Sequence, residues 1–188
     1  MPSRCEFQVT FHSRFRVGGP YGIDGVDLSV DPQNPLPADH LKGVMRAAAD
    51  SLAGSGFVPA SLVEDVFGTV RNPCPWTWLS AEADDGAYDV TNRNRVCIHA
   101  ATHAAAKDML VTGAQAWTAT ATFAVRQLDP VDEVERHLAI LRLSARHTHH
   151  IGSWRRRGLG WVTIAPTADA PSAAEDLDLV AAQAGGAA

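Results

Sequence analysis

The chain has 188 residues, 46% of them hydrophobic and 20% charged, with a formal net charge of −5 at pH 7. Those proportions describe an ordinary globular protein long enough for one well-filled core. With no run of 18 apolar residues and only three scattered cysteines, Cys5, Cys74 and Cys97, they exclude a transmembrane helix and a disulfide framework.

The start of the chain lacks the apolar stretch of a signal peptide, so a reducing cytoplasm is the expected location. Charge is unevenly placed. Residues 166–188 carry Asp169, Glu175, Asp176 and Asp178 and no basic residue, and are expected to be a flexible tail or a loosely attached helix behind a single domain at 1–165. That leaves the body nearly neutral, so overall charge argues neither for nor against a polyanionic partner.

In chain order, residues 5–17 alternate. Phe7, Val9, Phe11, Phe15 and Val17 share one face, and Gln8, Thr10, His12, Arg14 and Arg16 the other, as in a strand with one wet side. Gly18, Gly19, Pro20 and Gly22 break it, and Pro32, Pro35 and Pro37 keep the next loop extended. Asp39 is the expected N-cap of a helix over 40–52, where Leu41, Val44, Met45, Ala48 and Leu52 recur at helical spacing. A short helix over 61–67 stops at Gly68. Strands are expected at 77–83, 95–98 and 115–125. Asp129 and Pro130 announce a helix with Asp132, Glu133 and Glu135 at the positive end of its dipole and Val134, Leu138, Leu141 and Ala145 along its buried stripe. A last short strand covers 161–164. This order predicts an α+β fold, a ferredoxin-like (RRM-like) antiparallel sheet with its helices on one face and loop insertions.

The loop at 152–160 is the most distinctive segment. Gly152, Gly158 and Gly160 would let backbone approach a phosphate and expose amides, and Arg155, Arg156 and Arg157 supply forked donors for its oxygens. Trp154 or Trp161 offers a face to a base. The same residues also read as a glycine-rich turn with a solvated basic tip, and spacing does not choose between the two. His40, Lys42 and Arg46 near a helix start could attract an anion, though alone they read as ordinary surface charges. Asp24 and Asp27 lie in the loop after the first strand, where a carboxylate could ligate a metal or help deprotonate a ribose hydroxyl but commonly just forms a turn. His99 and His103 near Cys97, and His147, His149 and His150, could bind a metal, but with no zincin pattern beside them they read first as surface histidines next to an RNA groove.

Taken in order, these pieces resemble a RAMP-superfamily protein of CRISPR effector complexes, most nearly the repeated backbone subunit of type III complexes. Gly22, Ile23 and Asp24 match a glycine-flanked Ile-Asp. Pro37, Leu41, Lys42, Gly43 and Arg46 match the family's first-helix start. Phe67 and Gly68 end an acidic-apolar segment, Val96, Ile98 and Thr102 match a further stretch in part, and Gly152, Gly158 and Gly160 match the closing glycine motif. The resemblance covers roughly residues 7–164.

It implies that His40, Lys42, Gly43, Arg46, Gly152, Trp154, Arg155, Arg156, Arg157, Gly158 and Gly160, with Arg14 and Arg16 beside them, hold a guide RNA (crRNA). Asp24, or failing it Asp27, would cleave complementary target RNA through the 2′-hydroxyl with a divalent metal, magnesium or manganese, whose ligands the sequence leaves unknown. Implied partners are crRNA, target RNA, further copies of the chain and other effector subunits, with no membrane. Two departures stand out: Asp39 and His40 replace small residues at the helix start, and His99 replaces an aspartate. Compactness also predicts that the thumb-like protrusions of larger relatives are trimmed. The alternatives are a non-cleaving or capping subunit, a guide-processing endoribonuclease using His12 or His40 as base, and an unrelated ferredoxin-like ligand-binding protein.

Overall fold

The computed structural model describes residues 3–167 and 169–181. Its elements are β1 (Arg4–Phe11), α1 (Ala38–Gly54), α2 (Ala60–Phe67), β2 (Trp76–Trp78), β3 (Glu82–Ala83), β4 (Asp89–Ile98), β5 (Ala105–Trp117), β6 (Thr120–Gln127), α3 (Val134–His147), β7 (Val162–Pro166) and α4 (Ala173–Ala181). The main sheet runs β2-β6-β1-β7, all antiparallel, with β3 also paired to β6. With α1 and α3 as its two long helical connections, this is the ferredoxin-like arrangement, as expected. Period-two alternation aims Phe7, Val9 and Phe11 of β1, Phe123 and Val125 of β6 and Ile164 of β7 into the core. Leu41 and Met45 of α1 and Leu138 and Leu141 of α3 meet them there, each burial stabilising by roughly 1.5–3 kcal/mol. Among the described residues, no helix is long and apolar enough to cross a membrane.

The structure departs from the sequence expectations at several places, among them the strand expected over 77–83, which is split into β2 and β3. The first strand ends at Phe11, not Val17, because Phe15 exchanges backbone hydrogen bonds with Ala116 of β5 instead of staying in the main sheet. That change of partner turns Arg16 inward, where only 9% of it is exposed. Residues 115–125 are two strands, parted where the Thr118 hydroxyl donates to the Thr120 carbonyl. Helix α1 begins at Ala38 after Pro37, and Asp39 sits within the first turn without capping it, since the Pro37 carbonyl accepts the His40 and Leu41 amides.

One element stands apart from the main sheet. β4 and β5 form a separate two-stranded hairpin, in register from Asp89–Trp117 to Val96–Leu110 and shifted before Ile98. Its outer half leaves Val96, Ile98, Met109 and Leu110 exposed. Finally, the acidic segment after Pro166 is not loose over its described part. Asp176 of α4 is fully buried and paired with Arg142 at 2.5 Å and Arg146 at 2.6 Å, both on α3. Neutralising those two arginines is what attaches an otherwise weakly apolar helix. Residues 182–188 of the expected tail lie outside the described residues.

Candidate nucleic-acid interface

The loop after α3 is built on close backbone approach. Gly152 has φ +69°, and a Cβ there would lie 2.2 Å from the Arg16 carbonyl oxygen; Gly160, at φ +77°, would place one 2.0 Å from that of Ile151. Only glycine fits either position. The amides follow the same logic. Gly152 N–H donates to His40 Nε2 at 2.8 Å, Ser153 N–H to the Arg16 carbonyl, and Gly160 N–H to the Arg14 carbonyl. Arg157 and Gly158 N–H donate to Trp154 and Arg155 carbonyls, closing a single 3-10 turn over Arg155–Arg157. These five amides are therefore committed within the protein, which corrects the expectation that the glycines expose them to phosphate. The glycines serve packing, and the free donors are the three exposed arginine side chains.

Trp154 is also redirected. The guanidinium carbons of Arg95 and Arg16 lie 3.8 Å and 5.3 Å from its ring centroid, and its edge lies against Gly113 of β5. With both arginines and Gly113 against it, the half-buried ring braces the loop instead of offering a free platform for a base. Arg16 is buried, lowered below its ordinary pKa by desolvation, with its Nη1 on Ser153 Oγ at 2.9 Å and its Nε unpartnered. Desolvation, then repulsion from Arg157 and Arg93, lowers Arg95 as well. A cavity of about 620 Å³ opens here, lined by Leu28, Val96, Met109, Val111 and Trp154 with Arg95 and Arg157 among them.

Against this set, Arg14 pairs with Asp89 at 2.7 Å and Arg46 with Asp50 at 3.9 Å. Among the described residues, none of Arg16, Arg93, Arg95, Arg155, Arg156 and Arg157 has a carboxylate within ion-pair distance. Arg93 and Arg95 escaped the sequence reading. Their signal was the i, i+2 spacing on β4, which puts both on one face, but only 95–98 of that strand was expected, so Arg93 fell outside it.

The two expected RNA grips meet only through His40. His40 accepts the Gly152 amide and is held below its ordinary pKa by burial, so it joins helix to loop and has no free Nε2 for a ligand. Lys42, about 200° around the helix, lies over the Trp78 ring at 5.4 Å. Gly43 is exposed, and a Cβ at that position would meet nothing within 4 Å. Asp24 is exposed in a turn closed by Ile23 and Val26, with Gly25 at φ +72°. Asp27 instead accepts the Thr112 amide at 2.7 Å, and Leu28 bridges to Gly113, strapping this loop to the root of the hairpin beside Trp154. The fallback carboxylate is thus a structural tie, and Asp24 is the free one. Among the described residues, no three His, Cys, Asp or Glu side chains converge as a metal-binding group, the two histidine clusters included.

No family model matches the chain, and no curated protein matches it. Solved structures do. A chain of the "Type III-B Cmr-beta Cryo-EM structure of the Apo state" superposes with a TM-score of 0.68 at 10% identity, covering 88% of this chain and 98% of that one. A chain of the "Type III-B Cmr-beta bound to cognate target RNA" gives 0.59 at 16% identity, covering 87% of this chain and 58% of that one. The shared property is the fold. It is the fold anticipated by the RAMP resemblance in the sequence.

Proposed function

We propose that this chain is an RNA-binding subunit of a CRISPR effector complex, and that it holds a single-stranded guide (crRNA) by its phosphate backbone. The observation that carries this reading is the set of five arginines, Arg93, Arg95, Arg155, Arg156 and Arg157, that lack carboxylate partners and gather where the hairpin meets the 152–160 loop, with Arg16 buried beneath them against the same tryptophan. Unpaired, mutually repelling guanidinium groups are stabilised by a polyanion, and displaced counterions add to the gain. Gly43 supports the same reading. Glycine in a helix costs about 1 kcal/mol against alanine, and no protein neighbour requires it here, which suits close approach of a ligand backbone. The Cmr-beta likeness supplies the assembly context, with target RNA, further copies and other effector subunits as the remaining partners.

Asp24 is the carboxylate available for target cleavage, by orienting or deprotonating the 2′-hydroxyl beside the scissile phosphate. A magnesium or manganese ion finds one free carboxylate in this loop, since Asp27 is tied to Thr112. Among the described residues no side chains build a cage for it, and the chemistry available here runs through Asp24 itself. In the assembled complex, Asp24→Ala is expected to lower target cleavage at least 100-fold while leaving guide binding intact; undiminished cleavage would remove Asp24 from the mechanism and leave the non-cleaving subunit as the reading. A guide-processing role through His40 is disfavoured by its buried bond to Gly152, and His12 shares its Nε2 with Thr163 Oγ1 at 2.8 Å.

A further inference from the structure

The loop's two tryptophans have opposite surroundings. Trp154 is half-buried with two arginines against its ring, whereas Trp161 is 48% exposed, and of the five tryptophans only Trp161 is exposed. Its backbone is fixed on both sides: its N–H donates to Ser13 Oγ at 3.0 Å, and its carbonyl accepts the His12 amide at 2.9 Å. The preceding Gly160 is locked in a left-handed conformation. Alternation from buried Val162 places Trp161 on the same side as Thr163, the sheet face that no helix covers. His150 supports the indole from one side, ring centroids 4.1 Å apart and planes tilted by 58°.

The rest of that open face carries small and polar side chains. β1, β6 and β7 turn Gln8, Thr10, Thr120, Thr122 and Thr163 outward, and Asp84 bonds Gln8 and Thr122. A flat aromatic on a rigid strand, exposed at substantial area and alone among threonines, gains nothing for the fold from its outer surface. Three residues separate it from Arg157, at most about 14 Å of chain from one Cα to the other. A strand of RNA whose phosphates rest on the arginine turn therefore has an aromatic surface within reach for one of its bases.

We propose that Trp161, supported by His150, is a nucleobase-stacking platform for single-stranded RNA, positioned next to the arginine turn that takes the phosphates. This rests on the RNA-binding reading above and adds to it a sequence-tolerant contact to a base, since every base presents a π-face.

The test is binding of a short single-stranded RNA carrying 2-aminopurine to the full chain and to Trp161→Ala, Trp161→Leu and Trp161→Phe. Wild type and Trp161→Phe are expected to quench the 2-aminopurine. The Ala and Leu variants should lose the quenching and bind about tenfold more weakly with an unchanged salt slope. Wild-type-like affinity and quenching in the Leu variant would overturn the platform while leaving phosphate binding standing. No RNA binding by the wild-type chain at physiological salt would overturn both.

Discussion

Two groups of arginines in this protein have opposite fates. On α3, Arg142 and Arg146 converge on the buried Asp176 of α4, and Arg136 pairs with Glu133 at 2.6 Å while also bonding the Val180 carbonyl. Around the hairpin, Arg93, Arg95 and the Arg155–Arg157 turn meet a tryptophan and one another but no carboxylate, and only Arg16 of that neighbourhood is buried. The same side chain closes a helix onto the body in one place and is left open to an external anion in the other. Abundance of arginine therefore says little about nucleic-acid binding until the partners are counted, which also explains why a net charge of −5 is no obstacle.

The contrast can be broken most violently on the paired side. Asp176→Ala leaves Arg142 buried without its counter-charge and should cost about 3–5 kcal/mol, read as a lower urea midpoint and early proteolysis of α4. RNA affinity should change little, because the unpaired set is untouched.

Gly152→Ala acts on the other side. It imposes a left-handed backbone on a residue with a Cβ, worth about 1–2 kcal/mol, and adds a clash with the Arg16 carbonyl. The loop should shift off Arg16 and His40, so stability and RNA affinity should fall together in denaturation and binding titrations.

Acid gives the smallest effect. Burial lowers the pKa of His40, and that of His137 as well, whose Nδ1 accepts the Trp76 indole N–H. Both imidazoles are neutral acceptors in the folded protein. The unfolded chain takes up protons first as pH falls through about 6.5, so stability is complete above that value and declines below it towards the folded pKa values. His40→Gln should flatten part of this decline in pH-dependent unfolding, leaving the share due to His137.

Much of this was legible in the sequence where one physical signal dominated. Alternation in Phe7, Val9 and Phe11, helical spacing in Leu41, Met45 and Ala48, and the order of elements were enough for the ferredoxin-like sheet. The loop with Arg155, Arg156 and Arg157 announced itself by composition. What stayed hidden depended on partners distant in sequence. Arg16 alternates with the wet residues of its strand, yet pairing of Phe15 with Ala116 turns it inward. The hairpin was faint because neither of its faces is buried along the outer half, so β4 carries no period-two signature. Trp154 and Trp161 are equivalent by spacing, and only Arg95, a residue on another element, separates brace from platform. Asp176 looked like one more acid in a polar tail until Arg142 and Arg146 came within reach of it.

The central claim is that the unpaired arginines bind an RNA backbone, and the salt dependence of single-stranded RNA binding addresses it most directly. For Arg155, Arg156 and Arg157 changed together to alanine, loss of up to three phosphate contacts should weaken binding and lower the slope of log affinity against log salt by about two. An unchanged affinity and an unchanged slope would contradict the account.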